Sequence, residues 1–248
     1  MHDLRAQNLR VEFARTDHDI TEAQQLRYQV FACELGATIG NSGYDSDRFD
    51  PYCTHILVRE EHEGAIVACS RILTSEAARD CGGFYSETEF DLKPLLALPG
   101  RIMEVGRICV HTDYRRGPAI ALLLAGLAQF MEDQKYDYLI GCGSVPLRPD
   151  RNQALRTVGA LIARYGCPET FRVTPHHPLP VAPVADKDES GAPALLRAYM
   201  RLGAYVGGPP CFDADFDVAD LLIILLRSRF NRRYLERLLG RTYKQQVA

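Results

Sequence analysis

Tryptophan is missing from all 248 residues, and so is any C-x-x-C pair. The eight cysteines, at 33, 53, 69, 81, 109, 142, 167 and 211, are scattered, which excludes a cysteine-rich zinc site or a dithiol redox motif. Most lie in apolar stretches and read as reduced, small core residues of a cytoplasmic protein. No apolar run approaches the ~20 residues of a membrane span. The opening MHDLRAQNLRVEF has no apolar signal core, so no secretion is expected. The formal net charge of −3 speaks against a nucleic-acid partner. Asp213, Asp215 and Asp217 begin like a calcium loop, but position 218 is Val where Gly is needed and 224 is Ile where Glu is needed; no metal site is expected. There is no internal repeat and no low-complexity tract.

What is present is an ordinary soluble composition, 46% hydrophobic and 25% charged, in a chain long enough to bury a full core. Leu9–Phe13 reads as a first strand. Thr21 with Gln24 forms a capping-box pattern for a helix carrying Leu26 and Val30 and ending near Gly36. Asn41–Pro51 is a polar loop. Thr54–Val58 and Ala65–Leu73 follow as an antiparallel pair about the turn Glu60–Gly64. Ser75–Gly100 is irregular, with a short helix over Ser75–Asp80. After the central stretch come a strand at Tyr136–Cys142, a loop at Gly143–Pro149 and a helix at Asn152–Tyr165. Cys167–Pro193 carries six prolines, which excludes a central strand or long helix, though Val181–Val184 fits an edge. Pro193–Leu202 is a helix stopped by Gly203. Asp217 reads as the N-cap of a last helix from about Val218.

The central stretch is Arg101–Met131. Ile102–Val110 is rich in Ile, Val and Met and reads as extended. After the link Asp113–Pro118, Ile120, Leu123, Leu124, Leu127 and Met131 recur at helical spacing. Glu104 and Arg107 sit inside the apolar strand, where charge is costly unless paired or used. Arg115, Arg116 and Gly117 open a helix N-terminus that offers N–H groups, a dipole and positive charge to an anion.

This stretch resembles the acyl-coenzyme A and pantetheine-binding core of the GCN5-related N-acetyltransferase superfamily. In the superfamily's phosphate turn, Gln or Arg precedes two residues, Gly, one residue, then Gly or Ala. Here Tyr114, Gly117 and Ala119 take those places, so the first departs. The full turn cradles a pyrophosphate, whereas acyl carrier protein presents a single phosphodiester; the departure favours a carrier-protein donor. Arg27-Tyr28-x-Val30-Phe31, Asp47-x-x-Asp50, Arg71-Ile72-Leu73 and Glu104-x-x-Arg107 follow the order and spacing of the acyl-homoserine-lactone synthases, whose tryptophan ten residues past the first Arg is Ala37 here. Gly143-Ser144-Val145-Pro146-Leu147, and Tyr199-x-x-Leu202-Gly203-Ala204 followed by Pro209, Pro210 and Asp213, resemble the L-ornithine N-acyltransferase branch, often labelled hemolysin-like.

The resemblance implies one α/β domain with a central, mixed, mostly antiparallel sheet flanked by helices: an acyltransferase core at 1–212 and a C-terminal helical extension at 213–248. It implies transfer of a 3-hydroxy fatty acyl group from acyl carrier protein to the α-amine of ornithine, with no tightly bound cofactor. An amine attacks a thioester only as the free base; Glu104 is the candidate to take its proton. Arg27, Phe31, Asp47, Asp50, Arg71 and Arg107 are the substrate-binding candidates: Arg71 and Arg107 for a carboxylate, Asp47 and Asp50 for an ammonium. Cys109, Val110, Arg115, Arg116, Gly117 and Ala119 are the candidates to hold acyl-pantetheine, the strand edge near Cys109 and Val110 also offering N–H donors to an oxyanion. Structural readings stand beside these: an ordinary Glu–Arg pair for Glu104 and Arg107, loop caps for Asp47 and Asp50, an internal ion pair for Arg27 and a core aromatic for Phe31. Glu104 and Arg107 point to opposite faces of a regular strand; Gly106 permits a bulge that brings them to one side. Other readings are an acyl-homoserine-lactone or N-acyl amino-acid synthase with a different amine, and a non-enzymatic membrane-active protein.

The tail is basic. Arg227, Arg229, Arg232, Arg233, Arg237, Arg241 and Lys244 face a single acid, Glu236. Two anionic partners suit it, acyl carrier protein and the inner face of the cytoplasmic membrane, where peripheral attachment is expected.

Overall fold

The computed structural model describes residues 4–6, 8–39, 43–181, 189 and 191–237. In chain order, its elements begin with strands β1 (Arg5–Ala6) and β2 (Leu9–Phe13), helix α1 (Asp17–Tyr28), strands β3 (Thr54–Glu60) and β4 (Ile66–Thr74) and helix α2 (Ser75–Cys81). Strand β5 (Phe90–Asp91), helix α3 (Lys93–Leu96), strand β6 (Ile102–Val110) and helix α4 (Ala119–Asp133) follow. The chain continues through β7 (Tyr138–Pro146), α5 (Arg151–Tyr165), β8 (Thr174–Pro175), α6 (Ala194–Leu202), β9 (Tyr205–Val206), β10 (Cys211–Asp213) and β11 (Val218–Leu226).

The chain divides into two compact units, and the border falls inside β6. The first takes residues up to Gly82, Val105–Tyr136 and the stretch from Asn231; the second takes Gly83–Glu104 and Asp137–Phe230. In the first unit β1, β2, β3 and β4 pair antiparallel in sequence order. Val11 and Ile56 meet α4, while Leu57 and Cys69 of the opposite face meet Ala23, Leu26 and Val30. Strand β3 is thus covered on both sides, which is why Ile56, Leu57 and Val58 are all buried. Helix α4 comes so close that a Cβ on Gly126 would lie 2.6 Å from Ile56 Cδ1 and 2.8 Å from Val11 Cγ1.

In the second unit β6 runs parallel to β7 over Ile102↔Tyr138, Met103↔Leu139 and Glu104↔Ile140. Strand β7 pairs antiparallel with β11 along all nine residues, from Val218↔Pro146 to Leu226↔Tyr138, and β11 also pairs with β9 and β10. The sheet is therefore mixed and mostly antiparallel, with helices packed against it in both units, as the resemblance implied.

Several boundaries differ from the sequence reading. Helix α1 begins five residues earlier, because Thr16 and Asp19 form the capping box; Thr21 Oγ instead donates to the Asp17 carbonyl inside the helix. Strand β7 continues through Gly143–Pro146, where a loop was expected, because β11 supplies its partner. The largest correction is β11 itself. Residues 218–226 are a central strand, not the start of a helical extension, so 213–248 is no appendage to a core ending at 212. A short apolar run buried on both faces fits helix and strand equally by pattern, and the nine-residue pairing with β7 decides it. Asp217 is no N-cap either: at φ 52° it turns the chain between β10 and β11, with its carboxylate on Arg148. Beyond β11, residues 227–229 form a 3₁₀ turn and 232–237 are helical. Of the expected edge segment Val181–Val184, residues 182–184 lie outside the described residues; Thr174–Pro175 makes an edge pairing, with β5.

Candidate active site

Helix α1 buries the stripe Ala23, Leu26 and Arg27, followed by Val30. A guanidinium in that stripe must bring its counter-charges with it, and the polar loop supplies them. Arg27, 1% exposed, donates from Nε to Asp45 Oδ2 at 2.8 Å and from Nη1 and Nη2 to the two Asp50 oxygens at 2.8 and 2.9 Å; Nη2 also reaches the Asp45 carbonyl. Arg71 on β4 grips Asp47 in a fork at 2.6 and 2.7 Å. Arg107 donates to Asp45 Oδ2 at 3.1 Å and lies 3.5 Å from Asp47 Oδ2. Burial works against the charge on Asp50, but the Arg27 contact outweighs it and holds this carboxyl at about 2. Asp47 is likewise pulled below the usual carboxylate range, burial opposing and Arg71 prevailing.

Five of the six substrate-binding candidates therefore meet in one place, but as partners of one another. The arginines expected to hold a carboxylate hold Asp45, Asp47 and Asp50 instead. The acids expected to hold an ammonium are committed to guanidinium groups. Phe31 is the sixth; it packs on the core around Leu57, Cys69 and Cys109. Asp45, the centre of the network, escaped the sequence reading although it lies two residues before Asp47 in the same loop.

In β6 the residue with a left-handed backbone is Arg107, one position after Gly106, with φ 53°. A non-glycine held there costs of order 1 kcal/mol, offset by the contacts that Arg107 makes with Asp45 and Asp47. Cys109 turns into the core, its Sγ 3.5 Å from Cys69 Sγ; burial, then Cys69, pushes its thiol well above the usual range. Val110 is half-buried; Arg115, Arg116 and Gly117 are exposed, and Ala119 is buried at the start of α4. Arg115 donates from Nε to the Val110 carbonyl at 3.1 Å and pairs with Glu34. Tyr114, in the place of the superfamily's Gln or Arg, donates its hydroxyl to Glu60 at 2.9 Å.

In the second unit, Glu104 is 4% exposed and accepts the Tyr85 and Ser86 N–H groups, each at 2.7 Å, together with the Ser86 hydroxyl. The carboxylate thus orders the turn that begins at Tyr85. Ser86 Oγ lies 3.5 Å from Cys142 Sγ, and the thiol is surrounded by acids: burial first, then Glu89 and Asp220, raise it well above its ordinary value. A thiol so placed is a poor nucleophile. On β11, Asp220 accepts the Ser144 hydroxyl at 2.6 Å. Glu89, Asp213 and Asp220 bring carboxylate oxygens within 4.8 Å of one another, and Glu89 is pushed up to about 9 by burial and by the charge of Asp220. None of these three was chosen from the sequence as a site residue. Asp220 carried the signal, a lone acid in an apolar strand like Glu104, but reading that segment as a helix hid it. In a further cluster, His18, Asp19 and Glu22, the two acids are tied to Arg59 and His18 pairs with Glu22.

Residues 26–125 match the family model described as an acetyltransferase (GNAT) domain. Over the whole chain, the L-ornithine N(alpha)-acyltransferase of Rhizobium meliloti (strain 1021) is 35% identical, covering 93% of this chain and 84% of that protein. The chain belongs to the L-ornithine N(alpha)-acyltransferase family. Proteins of the same description from Agrobacterium fabrum (33% identical, 92% of this chain and 84% of that one) and Rhodobacter capsulatus (30%, 91% and 93%) also match. Among solved structures, the AHL synthase LasI superposes with a TM-score of 0.54 at 15% identity, covering 90% of this chain and 91% of that one. The CoA-dependent acyl-homoserine lactone synthase BjaI gives 0.53 at 16%, over 91% and 83%. These two share the fold of the family.

Proposed function

We propose that this protein transfers a 3-hydroxy fatty acyl group from acyl carrier protein to the α-amine of L-ornithine, giving lyso-ornithine lipid. The observation that carries the reading is the match, along nine-tenths of the chain, to relatives described as L-ornithine N(alpha)-acyltransferases. In the step, the amine nitrogen bonds to the thioester carbon, the C–S bond breaks, the amine proton leaves and the carrier thiol departs. Glu104 is the group proposed to take that proton, directly or through water. The β6 backbone near Cys109 and Val110 is proposed to steady the oxyanion, and the turn Arg115–Ala119 the phosphodiester of the arm. Arg107 is 15% exposed where Arg27 and Arg71 are 1% and 4%, so it is the arginine proposed to meet the amino acid's carboxylate.

Purified protein, acyl thioester and ornithine test this directly, with the product read by mass spectrometry. Acylated ornithine is the expected product; consumption of thioester only with a different amine overturns the acceptor. Tyr114 in place of Gln or Arg supports the carrier protein as donor. For one acyl chain, kcat/KM is expected to be at least 10-fold higher on acyl carrier protein than on coenzyme A, and the reverse preference overturns the donor.

The basic end of the chain supports a peripheral place on anionic membrane. Arg232, Arg233 and Arg237 are exposed, although Arg232 also pairs with Glu132 at 2.7 Å; Arg241 and Lys244 lie outside the described residues. Among the described residues, no helix is long and apolar enough to cross a membrane. Each basic side chain near an anionic surface contributes about 1 kcal/mol. Wild type is expected to float with anionic liposomes at low salt and to sink at high salt, and a variant with Arg232, Arg233 and Arg237 changed to Gln to sink at both. Wild type that sinks at low salt removes the membrane from the proposal.

A further inference from the structure

Asp45 is 2% exposed, so it does not itself meet a substrate, and its bonds differ from those of the other acids in its loop. Arg27 has both Asp50 oxygens on its two terminal nitrogens, and Arg71 has both Asp47 oxygens. A single Asp45 oxygen, Oδ2, instead takes the Nε–H of two arginines, Arg27 at 2.8 Å and Arg107 at 3.1 Å. Asp45 is also held from helix α1: its N–H donates to the Gln24 carbonyl at 3.1 Å, and its carbonyl accepts Arg27 Nη2. All of these residues lie in the first unit. Of the two arginines on the bridge, Arg27 is sealed in the interior and Arg107 is the one that reaches outward.

We infer that Asp45 is a positioning residue of the acceptor site: it fixes the plane of the Arg107 guanidinium for the carboxylate of the incoming amino acid. The inference rests on the proposed reaction, with Arg107 as the arginine that meets that carboxylate. A guanidinium grips a carboxylate through one flat edge with two parallel N–H bonds, so the orientation of its plane decides whether that edge is presented. The backbone alone does not supply the orientation. Arg107 departs from strand conformation at φ 53°, and its long side chain turns about several bonds. A bond at Nε, to an oxygen held from α1, sets the plane; Nη2 then lies 3.5 Å from Asp47 Oδ2. A carboxylate that served only as counter-charge to Arg27 would have no need of Arg107, and the shared oxygen is what ties the two together. Misplacement of a positioned group by a fraction of its length is enough to weaken its hold on a ligand.

The test reads two Michaelis constants in the full-length protein, with whichever acyl thioester supports wild-type turnover. In Asp45→Asn the KM for ornithine is expected to rise at least 10-fold, while the KM for the thioester stays within threefold. Loss of folded protein alone lowers the apparent kcat and moves neither constant. Arg107→Lys keeps the charge and lacks the fork, and it is expected to raise the ornithine KM by a similar factor. Adding Asp45→Asn to it is expected to raise that KM less than threefold further, since no guanidinium is left to aim. Asp45→Glu takes the place of Asp45→Asn if the latter does not fold; its carboxylate is displaced by one methylene, and an ornithine KM at least threefold higher is expected. An ornithine KM unmoved within threefold in folded Asp45 variants, while Arg107→Lys raises it, overturns the inference and leaves the proposed function standing. Equal rises in both Michaelis constants, independent effects in the double variant, or an unchanged ornithine KM in Arg107→Lys overturn it as well. Wild type that rejects ornithine but acylates another amino acid removes the acceptor alone, and the same comparison is then made on that amino acid. Wild type that acylates only amines without a carboxylate fells both.

Discussion

Arg27→Ala is expected to cost 3–5 kcal/mol of stability, roughly the loss found when one partner of a buried ion pair is removed. The guanidinium neutralises Asp45 and Asp50, both nearly fully buried, and alanine leaves two carboxylates with far less compensation in the same interior. Denaturant midpoints of the purified variant check it, with Arg27→Lys as the comparison: lysine keeps the charge but lacks the fork that reaches both acids, so it is expected to fall between. A loss under 1 kcal/mol for alanine would show that the network is dispensable. The pH dependence has a definite sign. Because the folded state holds Asp50 at about 2, this acid's contribution is present above the ordinary carboxylate range and fades as the pH falls toward 2. Removing Arg27 takes most of that contribution away, so wild type and variant are expected to converge in stability at low pH.

Glu104→Gln is expected to lower acyl transfer by about 10²-fold or more, the range for loss of a general base. The geometry adds a second route to the same loss, because a glutamine presents one acceptor oxygen to the three donors of Tyr85 and Ser86. Ser86→Ala separates the two: it removes one donor and leaves the carboxylate. If Glu104 takes the proton, Glu104→Gln loses kcat and the acid limb of the pH profile, while Ser86→Ala retains both within a few-fold. Equal losses in the two variants assign Glu104 to ordering the turn. Rate retention within a few-fold in a folded Glu104→Gln protein would be falsifying for both roles.

The elements that could be read beforehand are those whose signal is local. Leu9–Phe13 and Ile102–Val110 were bounded correctly by alternation and β-branched content. Helix α4 announced itself by spacing, and the turn between β3 and β4 by Gly64. What could not be read depends on distant partners. Strand β7 runs on through Gly143 and Ser144, poor strand formers by themselves, because β11 lies alongside. Leu221–Leu226 has no period to betray its state. The same division holds for the site. The motif residues from Arg27 to Arg107 were found by spacing, yet their pairing with one another is a matter of folding in three dimensions. Glu89 lies more than a hundred residues from Asp213 and Asp220 and shares no motif with them; only the folded chain brings the three together.

The place of β11 also fixes an order of events in time. The first unit has its strands β1–β4 and helix α4 in hand once residue 136 has been made. Strand β7 must wait for its antiparallel neighbour, which begins at Val218, roughly 70 residues later; at about 5–20 residues per second this is roughly 4–14 s of synthesis. Through that interval β7 carries one unpaired edge and an apolar face, the kind of segment that recruits foreign strands. The nascent chain is therefore expected to need protection late in its synthesis, when residues 138–146 are out and residues 218–226 are not.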